Sequence, residues 1–390
     1  IADLCEQKNM SRKAASALIY SGGLTVYTTM NFKMQKYLEE YYLQNGNFPK
    51  STSGEAQSAA VIMDKRGAVL AIIGGRGEKS SDRILSLSTQ MLRSPGSVIK
   101  PVSVYAPAID KRLITWATVF DDVPTKITKL SSGNYSFWPK NNPRVYSGLT
   151  TVSQALKVST NTVAVRVLER LGKDNSFAFL QNTVGISTLV EKEKKADGGY
   201  LSDIAEAPLA LGAVSRGVSL LEMTGAYTMF PAEGVCSSPH FYTEVYDKDG
   251  NLLLSNDGGG RKAISAESAE VMTEMMKTVV SAGGTASCVT LGRKTEVAGK
   301  TGTSNANTDR WFIGYTPDLI CGVWYGFTDA RDVGYFKANP AAQIFDAVMG
   351  GIFDLIPQSE RHTEFPKSGN VLTSLYCQDS GRVPSKSCML

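Results

Sequence analysis

Three short stretches of this sequence place hydroxyl and ammonium groups where they could act on one another. The first is Pro95-Gly96-Ser97-Val98-Ile99-Lys100-Pro101. Pro-Gly ahead of an apolar-periodic run marks a helix start, so Ser97 falls in the first turn and Lys100, three residues on, shares its face. A helix N-terminus offers partial positive charge and free N–H groups to a nucleophile that develops negative charge. A lysine within reach of that hydroxyl serves as its base once burial and a second cation depress its pKa. Ser97 is the only serine in the chain followed three residues later by lysine. The second stretch is Ser159-Thr160-Asn161, ahead of the apolar TVAVRVL. Ser159 could relay a proton there, and Asn161 could hold a substrate amide. The third is Lys300-Thr301-Gly302-Thr303-Ser304, closing the strand-like TEVAG. Gly302 removes a side chain where another backbone must approach the strand edge. Lys300, Thr301 and Thr303 together suit a peptide carboxylate.

Each stretch has a plainer reading on its own. Ser, Thr and Asn are preferred helix caps, and strands commonly end in a glycine turn. A phosphate loop is excluded for the third stretch: Gly299-Lys300-Thr301 would need glycine where Lys294 stands, and a helix where more strand follows. Composition removes further classes. The 390 residues are 42% hydrophobic and 20% charged with a net charge of +4, an ordinary globular balance. No Lys/Arg block with interleaved aromatics points to nucleic acid, and no apolar run approaches the roughly 18 residues of a membrane span. His240 and His362 are the only histidines. A Ser-His-Asp triad or a His-rich metal site would need these two, and both are expected to be surface or structural. Six cysteines contain no C-x-x-C pair. Cys377 and Cys388, close together in a polar tail, leave open either a local disulfide or two thiols. A serine served by lysines calls for no cofactor and no metal.

The elements that must position these groups are legible as periodicities. LTVYTT reads as a strand, and Asn31 as the cap of a helix FKMQKYLEEYYLQ. The polar stretch 45–54 reads as a linker. QSAAVIMD and GAVLAIIGG form a hairpin around Lys65-Arg66-Gly67. From about 95 to 285 the patterns are mostly helical: TVAVRVLERL closed by Gly172, SLLEMTGAYTMF, and AESAEVMTEMMKTVV before Gly283-Gly284. Strands return in KTEVAGKTGTS, WFIGY and LICGVWYGF, followed by a helix AAQIFDAVMGGIFDLI and an irregular tail after Pro357. This order predicts an α+β fold: one antiparallel sheet drawn from both ends of the domain, covered by helices on both faces. Residues 1–54 are expected to be an interdomain linker segment. Residues 55–390 form the domain, with 357–390 as its C-terminal tail. The start at Ile1, without initiator Met or leader, reads as a processed form or a fragment.

Taken in order, S-x-x-K, S-x-N and K-T-G resemble the motif set of penicillin-binding proteins and class A β-lactamases. GGLTVYTTMNFKMQ, RSPGSVIKP, TTVSQALKVSTNTVAV, AGKTGTSNANTDRWFIGYTPDLICGVWYG and YCQDSGRVPSKSC resemble the class A penicillin-binding proteins, bifunctional peptidoglycan synthases, over essentially the whole chain. The resemblance implies their transpeptidase fold. It implies Ser97 as nucleophile, Lys100 as its base, Ser159 as proton carrier to the leaving amine and Lys300 as the charge tuning it. Asn161 would hold the donor amide, with Thr301, Gly302 and Thr303 forming the carboxylate end. The backbone N–H groups of Ser97 and Thr303 would form the oxyanion hole, each donor worth about 3 kcal/mol of the barrier. Implied partners are peptidoglycan stem peptides (a D-Ala-D-Ala donor and an amine acceptor), β-lactams, and other cell-wall synthesis proteins. The implied location is the extracytoplasmic face of the bacterial membrane. Contact with the membrane would run only through an anchor that, with a glycosyltransferase domain, precedes residue 1. Two positions depart from the family pattern: Ser304 stands where a second Thr is common, and Arg310 where a small residue usually precedes Trp311. Arg310 is expected to bear on which acceptor is accommodated. A β-lactamase would need a deacylating Glu in an E-x-x-N element after Asn161, yet the only E-x-x-N is Glu6 to Asn9. A D,D-carboxypeptidase with water as acceptor, and a non-catalytic β-lactam sensor, remain the alternatives.

Overall fold

A computed structural model of the chain describes residues 1–79 and 81–385. Its centre is a five-stranded antiparallel sheet of β1 (Gln57–Asp64), β2 (Val69–Ile73), β3 (Ala298–Thr303), β4 (Asp309–Tyr315) and β5 (Leu319–Gly326), in the spatial order β3-β4-β5-β1-β2. The two ends of the domain meet where β1 pairs with β5, from Gln57 opposite Gly326 to Asp64 opposite Leu319. Side chains alternate across a strand, so each strand feeds two cores. Ala59, Val61, Met63, Trp311, Ile313 and Trp324 enter one cluster; Ala60, Ile62, Phe312, Val323 and Tyr325 enter the other. Both faces are covered, which is why β1, β2 and β5 read as nearly unbroken apolar runs.

Seven helices matter for the site: α1 (Phe32–Leu43), α2 (residues 96–110), α3 (Val152–Val158), α4 (Asn161–Leu171), α5 (Leu220–Gly225), α6 (Ala266–Val280) and α7 (Pro340–Leu355). The helices α2 to α6 pack on the first face through Val102, Ala155, Val165, Met223 and Met275. On the second face, α1 and α7 contribute Leu38, Tyr42, Ile344, Phe345 and Val348. The expected α+β architecture, one antiparallel sheet with helices on both faces, is the one observed.

Three local differences have physical reasons. The run SLLEMTGAYTMF is helical only to Gly225; ahead of Pro231 the backbone tightens into i→i+3 turns, Tyr227 N–H to Thr224 O, Thr228 N–H to Gly225 O and Phe230 N–H to Tyr227 O. The irregular region between α2 and α3 contains two ribbons, Val119–Asp122 with Gly148–Thr151 and Lys126–Lys129 with Tyr135–Trp138. The strand Lys126–Lys129 is exposed throughout, so it carries no apolar alternation to read. Within residues 1–54, Asn31 caps α1 as expected, its side chain accepting from the Met34 N–H. The stretch 45–54 is packed: Phe48 is buried, the Tyr325 hydroxyl donates to Pro49 O at 2.6 Å, and the Ser51 hydroxyl donates to Val333 O at 2.9 Å. Further toward the N-terminus, Thr25–Thr28 pairs with Tyr242–Tyr246, which pairs with Leu252–Ser255. Leu4, Ala15, Val245 and Leu254 form a small separate cluster there.

His240 is buried, with Nδ1 3.2 Å from Ser238 O, and His362 is exposed beside Asp318. Cys388, and with it any Cys377–Cys388 pairing, lies outside the described residues.

Candidate active site

Ser97 sits in the first turn of α2, as the Pro-Gly signal requires. The helix opens as a 3-10 turn over Gly96–Ile99, continues through a π segment and ends as α-helix over Ala106–Asp110. Gly96 has φ 52°, and a Cβ there would collide with Thr303 O. A Cβ on Gly302 would lie 2.5 Å from Pro95 O. The two glycines therefore let the start of α2 press against the end of β3, bringing the first and third motifs together.

The second motif arrives by a strained turn. Ser159 ends α3 in the left-handed conformation, at φ 64° and ψ 37°, which costs a non-glycine residue roughly 1–2 kcal/mol. Thr160 and Asn161 then begin α4, and none of the three side chains caps that helix. The cap comes from Asn141, whose Oδ1 accepts from the N–H groups of Asn161 at 2.9 Å and Thr162 at 3.3 Å. Asn141 is held in turn by the buried Asp122, which accepts from Asn141 Nδ2 at 2.7 Å, from the Thr162 hydroxyl and from the Ser147 N–H.

Where the motifs converge, one hydroxyl lies between two lysines. Lys300 Nζ donates to Ser159 Oγ at 2.9 Å and to Thr301 O at 3.0 Å. Lys100 Nζ lies 3.5 Å from Ser159 Oγ and donates to Ser159 O at 2.9 Å and to Asn161 Oδ1 at 2.6 Å. Both lysines are fully buried, and neither has a carboxylate partner among the described residues. Burial, and then the charge of Lys300, hold Lys100 well below the usual ammonium range. Burial alone brings Lys300 down to about 7. Thr160 O, at 3.4 Å, is a further acceptor for Lys100 Nζ.

The Ser97 hydroxyl has no hydrogen-bond partner among the described residues. The direct Lys100 to Ser97 bond expected from the i, i+3 spacing is thus absent here, because the ammonium is drawn toward the second motif. Asn161 is engaged at both ends of its amide, with Nδ2 donating to Lys140 O at 2.7 Å, so one N–H remains for a ligand. Thr301 Oγ1 meets Thr285 Oγ1 at 2.7 Å, and Thr303 Oγ1 accepts from Arg310 at 3.0 Å. β3 is the edge strand of the sheet, so its outer backbone groups have no strand partner. A last tie joins the first motif to the third: Arg93 Nε donates to Asp309 Oδ1 at 2.6 Å, and Asp309 Oδ2 accepts from the Ser304 hydroxyl at 2.7 Å.

Sequence reasoning missed Asn141, Asp122, Thr285 and the Arg93–Asp309 pair. None has a local signal, because each acts through a partner sixteen or more residues away. The histidines take no part in these contacts.

The family model "Penicillin binding protein transpeptidase domain" matches residues 58–350. The chain is 35% identical over 359 residues to penicillin-binding protein 1A of Clostridium acetobutylicum, covering 89% of this chain and 42% of that protein. It is 33% identical to penicillin-binding protein 1A of Clostridium botulinum, covering 98% of this chain and 45% of that protein. It therefore spans less than half the length of these relatives. Among solved structures, penicillin-binding protein 1A of Haemophilus influenzae superposes with a TM-score of 0.73 at 19% identity, covering 97% of this chain and 73% of that one. The PonA1 protein of Mycobacterium tuberculosis, solved in complex with penicillin V, superposes with a TM-score of 0.70 at 23% identity, covering 94% and 93%. These two likenesses concern the fold.

Proposed function

Since the chain belongs to the penicillin-binding protein transpeptidase family, on its class A branch, we propose that it is a serine-type D,D-transpeptidase that crosslinks peptidoglycan stem peptides and is acylated by β-lactams. One observation carries the assignment of roles: Ser159 Oγ lies between two buried, carboxylate-free lysines, beside a helix start that presents an unpartnered serine hydroxyl. Ser97 Oγ attacks the carbonyl of the penultimate D-Ala, and its proton passes to Lys100. The oxyanion forms between the Ser97 and Thr303 N–H groups. The bond to the terminal D-Ala then breaks, and Ser159, poised by Lys300, passes a proton to the departing amine. An amine of a second stem peptide attacks the Ser97 ester, gives its proton back along the same path and frees the serine. Thr301, Gly302 and Thr303 hold the donor carboxylate against Lys300, and the spare N–H of Asn161 holds its amide. No cofactor or metal enters any step.

The reading includes the division at residue 54. Residues 55–390 are the transpeptidase unit, with 357–390 as its tail; residues 1–54 connect it to a membrane-anchored, extracytoplasmic glycosyltransferase part, and other cell-wall synthesis proteins meet the whole. The test is to incubate wild type and Ser97→Ala with a fluorescent penicillin and follow the label on denaturing gels. Wild type should label and hold its label for many minutes, since no deacylating Glu follows Asn161. Equal labelling of the variant would sink the Ser97 assignment, and release within seconds would move the reading toward a β-lactamase. Mass spectrometry of a D-Ala-D-Ala donor, with and without an added amine, separates transfer from carboxypeptidase hydrolysis.

A further inference from the structure

The spot where the third motif ends contains a cation that the mechanism above does not use. Arg310 on β4 stands directly opposite Thr303 on β3. Its Nη1 donates to Thr303 Oγ1 at 3.0 Å, and its Nη2 donates to Asn307 Oδ1 at 3.3 Å and Gly334 O at 3.1 Å. All three acceptors are neutral, and Arg310 forms no direct ion pair among the described residues; the Asp332 carboxylate acts on it only through space. Its Nε is buried without any partner. The guanidinium has five N–H donors and three are used, so its charge is fixed in place without being neutralised by contact.

This geometry also constrains Thr303. Its oxygen already accepts from a charged donor, so its own proton is polarised and turned away from Arg310. A hydroxyl so arranged is a hydrogen-bond donor, on the strand face that Thr303 shares with Thr301. An anion gains from such a donor; a neutral ester or amide gains much less.

We propose that Arg310 is a positioning residue that sets the preference for a free carboxylate on the donor or the β-lactam, by fixing the Thr303 hydroxyl as a donor and adding behind it a positive charge with no direct ion-pair partner. The sequence pattern suggested an influence on the acceptor; the contact to Thr303 moves that influence to the donor carboxylate. The inference rests on the transpeptidase reading and can fail separately from it.

The experiment compares second-order acylation by penicillin G and by its methyl ester in wild type, Arg310→Gln and Arg310→Lys. In Arg310→Gln the acid-to-ester rate ratio should fall about tenfold or more, the size of one lost charge-assisted contact. Arg310→Lys should recover part of it. Because the ratio is taken within one protein preparation, a partly unfolded variant lowers both rates and leaves the ratio intact. An unchanged ratio in Arg310→Gln overturns the inference while leaving the function standing. Absence of acylation in wild type by either compound overturns the function itself.

Discussion

Two ammonium groups buried beside one serine hydroxyl cost the fold stability, and the residue scale is where that cost has its use. Lys100, held well below the usual ammonium range by burial and by Lys300, is the proposed base, and a base is spent once protonated. The rate of a single acylation by penicillin, followed by stopped flow over roughly pH 5–9, should therefore fall on the acid side. A flat acid limb would count against Lys100 as base. Lys300 gives a stability prediction of defined sign. Its folded pKa of about 7 lies below the ordinary 10.5, so between those values the unfolded chain binds more protons and stability rises with pH. In Lys300→Met this slope should vanish: the variant should unfold at higher temperature than wild type near pH 7, with the gap closing toward pH 10, while acylation is lost. A pH-independent gap in thermal unfolding would show that burial does not shift Lys300. Two macroscopic steps shared by the lysines are the expected titration, since the groups interact.

At the scale of elements, the second motif depends on a borrowed cap. Asn141 satisfies two N–H groups of α4 that no local side chain reaches. Asn141→Ala should cost about 1 kcal/mol of stability, the typical value for a cap. It should also slow acylation, because the turn that holds Ser159 and Asn161 loses its anchor. Urea unfolding and acylation rates measured on the same variant check both parts; an acylation rate at the wild-type level would leave Asn141 a purely structural cap. The strands and helices that carry the motifs were legible because each has a terminal signal: Pro95-Gly96 before α2, Gly172 after α4, Thr316-Pro317-Asp318 between β4 and β5. The ribbons between α2 and α3 were not, because short exposed strands bury nothing and so leave no period in the sequence. The plainer reading of the second stretch, a helix cap from its own side chains, came from a local rule and does not hold. The helix start lies one residue after Ser159, and the strained turn spends the Ser159 hydroxyl on Lys300 instead.

The whole molecule decides the status of the segment read as a linker. Leu38 and Tyr42 of α1 are fully buried, and Phe48 nearly so, in the cluster that also contains Phe345 and Val348 of α7. Leu38→Ala should destabilise the entire chain by roughly 2–5 kcal/mol, as core truncations do. A loss below about 1 kcal/mol by urea unfolding would make α1 a loosely attached flank. The polar stretch 45–54 carried the correct local signal for a loop, yet nothing in its composition tells that Phe48 and Pro49 pack against β5. The sequence by itself brought out the serine–lysine motif set and the scarcity of histidine, and determined the antiparallel sheet and most of its covering helices. Those follow from residue type and short-range period, which survive without a partner. Only the tertiary structure decided which groups meet. It turned Lys100 toward Ser159 and Asn161, set Arg310 behind Thr303, tied Arg93 to Asp309, and gave the second motif its cap from Asn141. The reason is that pKa and hydrogen-bond direction are set by burial and by neighbours distant along the chain, and a local pattern contains neither.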